Sequence, residues 1–164
     1  MNTDITEIIP HLYLSNWFTS NNADIISKYN IKAVLTLETM PKPDDIVKYY
    51  KNNNIDFKYI DISDSPYSNI SQYFDPTYEL IKKYIENNEN ILVHCYAGVS
   101  RSSTIVLNYL IRNIYDKIKK VNSCPRDVVQ KITEFLICKR PVVNPNDGFM
   151  NQILKKTIEY DRMK

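Results

Sequence analysis

The run His94-Cys95-Tyr96-Ala97-Gly98-Val99-Ser100-Arg101-Ser102 gathers a thiol, a guanidinium and serine hydroxyls into one short stretch. Ile91-Leu92-Val93 before it is apolar and of strand type, and the apolar residues from Ile105 onward read as a helix. A strand that feeds a tight loop into a helix N-terminus turns backbone N–H groups inward, and the helix dipole favours negative charge there. Those N–H groups and Arg101 would stabilise Cys95 as a thiolate, the reactive form of cysteine. The planar fork of Arg101 can grip two oxygens of a phosphate or sulfate. A nucleophile and an oxyanion cradle built from one loop point to phosphoryl transfer. A buried structural cysteine beside an ordinary surface arginine is the plainer alternative. Glycine supply argues against it: the chain has 2 Gly in 164 residues, and Gly98 falls inside this loop, where close approach of backbone to an anion needs it.

Around this loop the chain alternates strands with helices. Ile5 to Ile9 and Leu12 to Leu14 read as short strands broken by Pro10, with His11 a turn residue, and Asn22 to Tyr29 as a short helix. Ile31 to Leu37 is a mostly apolar strand of buried parallel type. Asp44 to Lys51 suits a small helix, and Ile55 to Ile62 the next strand. Asp75-Pro76 is expected to start a helix, with Asp75 as cap and Pro76 in the first helical position. Its apolar face would be Tyr78, Leu80, Ile81, Tyr84 and Ile85. The helix after the loop is apolar on most sides, which predicts burial. Tyr115 to Asn122 reads as a lysine-rich connection, Ser123-Cys124-Pro125 as the start of another helix, and Met150 to Tyr160 as the last one. The expected fold class is α/β, a central mainly parallel sheet flanked by helices, in one domain spanning residues 1–164.

Composition narrows the classes. Hydrophobic content of 43% and charged content of 24% are those of a soluble globular protein. A net charge of +2 is too small to make nucleic acid or membrane the main partner. Three cysteines without close pairing point to a reducing compartment, which suits a cysteine nucleophile. The start lacks a basic n-region and long apolar stretch, Asn2 excludes N-myristoylation, and no run approaches transmembrane length. A cytoplasmic setting is the expectation. The weight of Asn, Ile, Lys and Tyr is that of an AT-rich genome, such as a large DNA virus, for which the setting would be host cytoplasm or virion.

Displacement at phosphorus leaves an alkoxide or phenoxide that needs a proton, so a general acid is required. Asp61 lies between Ile60 and Ile62 and on a period of two points to the opposite face of its strand. Asp64 lies just past the strand end, in the polar loop Ser63-Asp64-Ser65-Pro66-Tyr67-Ser68-Asn69-Ile70.

His94-Cys95-x-x-Gly98-x-x-Arg101-Ser102 resembles the signature of the cysteine-based protein phosphatases, and its fuller form resembles the dual-specificity branch. The resemblance covers roughly residues 5 to 160 and implies the protein tyrosine phosphatase-like fold. It implies hydrolysis of phosphotyrosine and of phosphoserine or phosphothreonine through a phosphocysteine intermediate. By the same resemblance Cys95 is the nucleophile, and Arg101 holds the phosphoryl oxygens. Ser102 stabilises the departing thiolate, and His94 orients Cys95 indirectly. Tyr96, Ala97, Gly98, Val99 and Ser100 lend mainly backbone N–H groups. The spacing of Asp64 to Cys95, followed by Ile70 and Tyr73-Phe74, resembles the family's acid loop and favours Asp64 over Asp61. Lys139 to Phe149 resembles the family's late segment, in which the counterpart of Asn146 braces the phosphate loop through its backbone; Arg140 and Asn144 are read as structural. Ser15 stands where relatives often have glycine, a departure placed on a surface turn.

No cofactor or metal is implied, and no ligand cluster is visible in the sequence. Partners are phosphorylated proteins, not nucleic acid or membrane, and a dimer is among the assemblies the resemblance allows. Three other readings compete. An RNA 5′-triphosphatase would carry different residues between Cys and Arg. A phosphoinositide phosphatase would place lysines inside the loop. A phosphoprotein-binding pseudophosphatase would have lost Cys or Arg. Cys124 and Cys138 are expected to be inert, partly buried thiols rather than partners for an oxidised Cys95.

Overall fold

Hydrophobic patterning along the chain resolves into one five-stranded sheet covered on both faces. The computed structural model describes residues 3–164. The strands are β1 (Ile5–Ile9), β2 (Leu12–Ser15), β3 (Ile31–Glu38), β4 (Asp56–Asp61) and β5 (Asn90–His94), in spatial order β1-β2-β5-β3-β4. β2, β5, β3 and β4 are parallel, and β1 adds antiparallel to β2. The helices are α1 (Trp17–Ser20), α2 (Ala23–Lys28), α3 (Asp44–Asn52), α4 (Phe74–Glu86), α5 (Arg101–Lys117), α6 (Pro125–Lys139) and α7 (Asp147–Arg162).

Alternation along the central strands sorts side chains into two cores. Ile91 and Val93 of β5, with Leu12, Leu14, Leu35 and Leu37, face α4 to α7. Leu92, with Tyr13, Ile31 and Val34, faces Ile26 of α2 and Ile46 and Tyr50 of α3. Strands buried on both faces must be apolar nearly throughout, which accounts for Ile91-Leu92-Val93. β5 lies centrally, its register bringing His94 opposite Ser15 on one side and Thr36 on the other. The residues that follow His94 therefore leave from the carboxyl edge of the parallel strands, where open α/β sheets present their sites.

Several local expectations are corrected. Trp17–Ser20, a stretch without a sequence-based expectation, is helical, capped by the Asn16 side chain, which accepts from Thr19 N–H. Helix α4 begins at Phe74 after a 3-10 turn over Ser71–Tyr73 and has no side-chain cap. Asp75 is thus inside the first turn, where it pairs with Arg112 at 2.9 Å and Lys156 at 3.8 Å: an ionic tie to two other helices replaces the cap. Helix α5 runs on through Tyr115, which is fully buried, to Lys117, so the connection starts later than expected. Helix α7 starts at Asp147 because the Asn146 side chain accepts from Phe149 N–H and caps it. Ser15 is not on a surface turn; it is buried at the end of β2. His11 does occupy a turn, with φ of 74°. Among the described residues no helix is long and apolar enough to cross a membrane.

Candidate active site

The loop from Cys95 to Ser100 joins β5 to α5, and its hydrogen bonds run one way. The Cys95 carbonyl accepts from His94 Nδ1 at 2.9 Å, and that of Tyr96 from Trp17 N–H at 2.8 Å. Ala97 and Gly98 carbonyls accept from Arg140 Nη2 (3.3 Å) and Nε (3.0 Å). Val99 accepts from Asn144 N–H at 2.9 Å, and Ser100 from Thr104 N–H at 2.9 Å. Every carbonyl of the loop is thus held by the scaffold, while the N–H groups of Tyr96 to Ser100 donate to no acceptor among the described residues. Helix α5 adds its own N-terminal N–H groups, with no side chain capping them. The result is a concentrated donor field, the arrangement that binds an oxyanion.

Gly98 makes this turn possible. Its φ is +66°, and a Cβ there would lie 2.5 Å from the Ser15 carbonyl oxygen and from Arg140 Nη2. Arg140 is itself buried and tied to Asp4 at 2.7 Å, so neither neighbour has room to withdraw. The structural reading of Arg140 and Asn144 is thereby made specific: they hold the loop's carbonyls.

Within the loop, Cys95 is buried, and its Sγ lies 3.2 Å from Ser102 Oγ. Arg101 is also buried. Its Nη1 and Nη2 donate to the two carboxylate oxygens of Glu38 at 2.9 and 3.2 Å, and Nη1 also donates to the Ile62 carbonyl at 3.1 Å. Guanidinium carries five N–H donors in a fixed plane. Glu38 takes the end-on pair and leaves the side-on pair, Nε–H and the second Nη2–H; Nε has no partner among the described residues. Glu38 therefore fixes the plane of Arg101 without using the edge that would meet an anion. Sequence reasoning missed Glu38. The available signal was a carboxylate closing an otherwise apolar parallel strand, at the sheet edge where sites form.

His94 is fully buried, which with the nearby Lys42 and Arg101 charges drives its pKa well below the usual histidine range. The Cys95 carbonyl can only accept, so Nδ1 carries the proton and Nε2 accepts from Thr36 Oγ1 at 2.7 Å. The ring does not reach the thiol; it holds the peptide that carries it.

Asp64 is exposed, and its Oδ1 accepts from Asn146 Nδ2 at 2.9 Å. Asn146 in turn donates its backbone N–H to Ser100 Oγ at 3.0 Å. Expected contacts of the Asn146 side chain with loop backbone are replaced by this bridge, because its oxygen is spent on capping α7 and its amide on Asp64. Gly148 lets the acid loop come this close, since any Cβ there would overlap the Pro66 backbone. Asp61, at the end of β4, is exposed and has no such tie to the loop. Cys124 and Cys138 are both exposed, not partly buried, and all three cysteines are free.

Residues 12–159 match the family model for the dual specificity phosphatase catalytic domain, and the chain belongs to that family. It is similar to dual specificity protein phosphatase 15 of Mus musculus, 29% identical over 153 residues, which cover 93% of this chain and 57% of the relative. Similarity to dual specificity protein phosphatase 1B of Arabidopsis thaliana is 31% over 153 residues, covering 92% and 80%. Against a probable dual specificity protein phosphatase of Dictyostelium discoideum it is 31% identical, covering 93% of this chain and 34% of the relative. The chain thus spans from about a third to just over half the length of several relatives it matches. The solved structure of DUSP15 gives a TM-score of 0.79 at 25% identity, covering 99% of this chain and 95% of that one. The Yvh1 phosphatase domain from Chaetomium thermophilum shares the fold, with a TM-score of 0.79 at 24% identity, covering 92% and 94%.

Proposed function

We propose that this protein, as a single catalytic domain, hydrolyses phosphate monoesters on phosphoproteins through a phosphocysteine. The observation that carries the proposal is the loop's polarity: carbonyls held outward, N–H groups free, with Cys95 and the side-on edge of Arg101 among them. Cys95 Sγ attacks phosphorus in line, an S–P bond forms, and the P–O bond to the substrate breaks. Asp64 gives its proton to the departing oxygen. Loop N–H groups and Arg101 hold the three equatorial oxygens and gain strength as charge builds there. A water then attacks the phosphocysteine, Asp64 takes its proton, and the S–P bond breaks. The thiolate leaves toward Ser102 Oγ, 3.2 Å away. Loop amides and Arg101 supply the electrophilic assistance, so no step calls for a metal. Tyr96, Ala97, Val99 and Ser100 put no cation beside the cradle, which favours singly phosphorylated residues over phosphate-dense lipids or RNA ends.

The test is turnover of an aryl phosphate in chelator and reductant, beside Cys95→Ser. Loss on the order of 10^5-fold in the variant is expected; appreciable residual turnover would remove Cys95 as the nucleophile. Inactive but folded parent protein would favour a binding-only role.

A further inference from the structure

Behind the loop lies a lysine that the proposed mechanism does not use. Lys42, between β3 and α3 in Pro41-Lys42-Pro43, is 7% exposed, a position lysine rarely takes unless paired. Among the described residues no carboxylate lies within ion-pair distance of it. Its Nζ instead donates to Ser20 Oγ at 2.7 Å and Asn21 Oδ1 at 2.6 Å, and sits 4.8 Å from the Trp17 ring centroid. Ser20 Oγ has one proton, given to the Trp17 carbonyl at 2.7 Å. It therefore accepts from Lys42 on one side and from His94 Nδ1, at 3.2 Å, on the other. A single hydroxyl separates the ammonium from the imidazole that holds the Cys95 peptide.

Charge balance gives this placement a purpose. Arg101 and Glu38 cancel as a buried ion pair. A thiolate at Cys95 would leave the buried cluster one negative charge in excess, and Lys42 makes it neutral. We propose that Lys42 is a positioning residue of the active site, acting through Ser20 and His94 to favour the thiolate form of Cys95. In a low-dielectric interior such a charge acts far more strongly than at the surface. The groups that face it are Glu38 from β3, His94 from β5 and Tyr50 from α3, with Arg101 of α5 acting on the same His94; α1 and its C-cap offer the neutral Trp17, Ser20 and Asn21. Burial lowers the pKa of Lys42 to about 7, with Glu38 pulling partly back. Its charge is thus present below neutrality, where a free thiol would be protonated, and leaves as pH rises.

This inference rests on Cys95 as the nucleophile, yet its test needs no substrate. The rate of Cys95 alkylation by iodoacetamide is followed from pH 5 to 9 by peptide mass spectrometry, with thermal melting to check folding. In Lys42→Met, alkylation should slow severalfold at pH 6, with about tenfold the limit for a one-unit change in thiol ionisation, and meet the parent rate by pH 9. Lys42→Arg should stay near the parent rate. Superimposable profiles for Lys42→Met and parent, or a slowing equal at every pH, would overturn the proposal. Should Lys42→Met fail to fold, Ser20→Ala breaks the same link and must slow alkylation at pH 6; an unchanged profile there overturns it too. Turnover surviving in Cys95→Ser would instead defeat the catalytic reading, whatever Lys42 does.

Discussion

The two loops that meet at this site are held in opposite ways. Around Cys95 the chain is over-determined: Cys95, Ser100 and Arg101 buried, each carbonyl bonded, and a left-handed glycine wedged between Ser15 and Arg140. Around Asp64 the chain is mostly exposed, tied by one side-chain bond from Asn146, by Gln152 Nε2 on the Ser68 carbonyl at 2.9 Å and by a close approach of Pro66 to Gly148. The difference follows the tasks. An oxyanion cradle must be in place before charge develops, since donors that reorganise during reaction lose their advantage. A proton donor has to meet leaving groups of different size and then a water, so a loosely held carboxyl suffices. Asn146 couples the two, its side chain on Asp64 and its backbone on Ser100.

Substitutions can break that comparison on either side. The largest effect is expected on the rigid side: Arg101→Lys should lower kcat/KM on the order of 10^3-fold for all leaving groups, because a point charge cannot replace the side-on pair. Gly98→Ala should be nearly as damaging and also lower the melting temperature, through positive φ and the clash with Ser15 and Arg140. On the exposed side, Asp64→Asn should slow alkyl phosphoesters by about 10^2-fold and nitrophenyl phosphate much less, since a good leaving group needs no proton. A larger loss in Asp61→Asn would move the acid to that residue. Gly148→Ala displaces Pro66 and should imitate Asp64→Asn while leaving Cys95 alkylation unchanged. Altered alkylation there would mean the two loops are one mechanical unit.

The smallest effect is on stability against pH. His94 is neutral when folded, its pKa held well below the usual value mainly by burial, whereas the unfolded chain takes up a proton near the ordinary value of about 6.5. The unfolded state then binds more protons, so stability is intact above that pH and falls as pH drops below it, by at most about 1.4 kcal/mol per pH unit. Denaturant melts from pH 7.5 to 5 should show this slope, and a flat profile would mean that His94 charges in place.

Much of this was legible in the chain itself. The order of strands and helices and the buried character of β5 and α5 follow from local patterning, because backbone periodicity and turn chemistry act over a few residues, while Ser102 and the preference for Asp64 over Asp61 rest on the family resemblance of the Cys95 to Arg101 signature. Helix ends were less legible: α7 begins at Asp147 because Asn146 caps it, and α4 does without Asp75 as a cap because that carboxylate is drawn to Arg112 and Lys156. Ser15 reads as a turn residue until the register of β2 against β5 buries it beneath Gly98. Glu38, Lys42 and Arg140 lie far from the loop in sequence, and no local rule joins them to it. Glu38 and Lys42 come near it because parallel strands end together at one edge of the sheet and a buried charge must find partners there, and Arg140 because α6 ends beside the loop. The sequence alone determined which groups can react; the tertiary structure decided which charges surround them and which edge of Arg101 is left free.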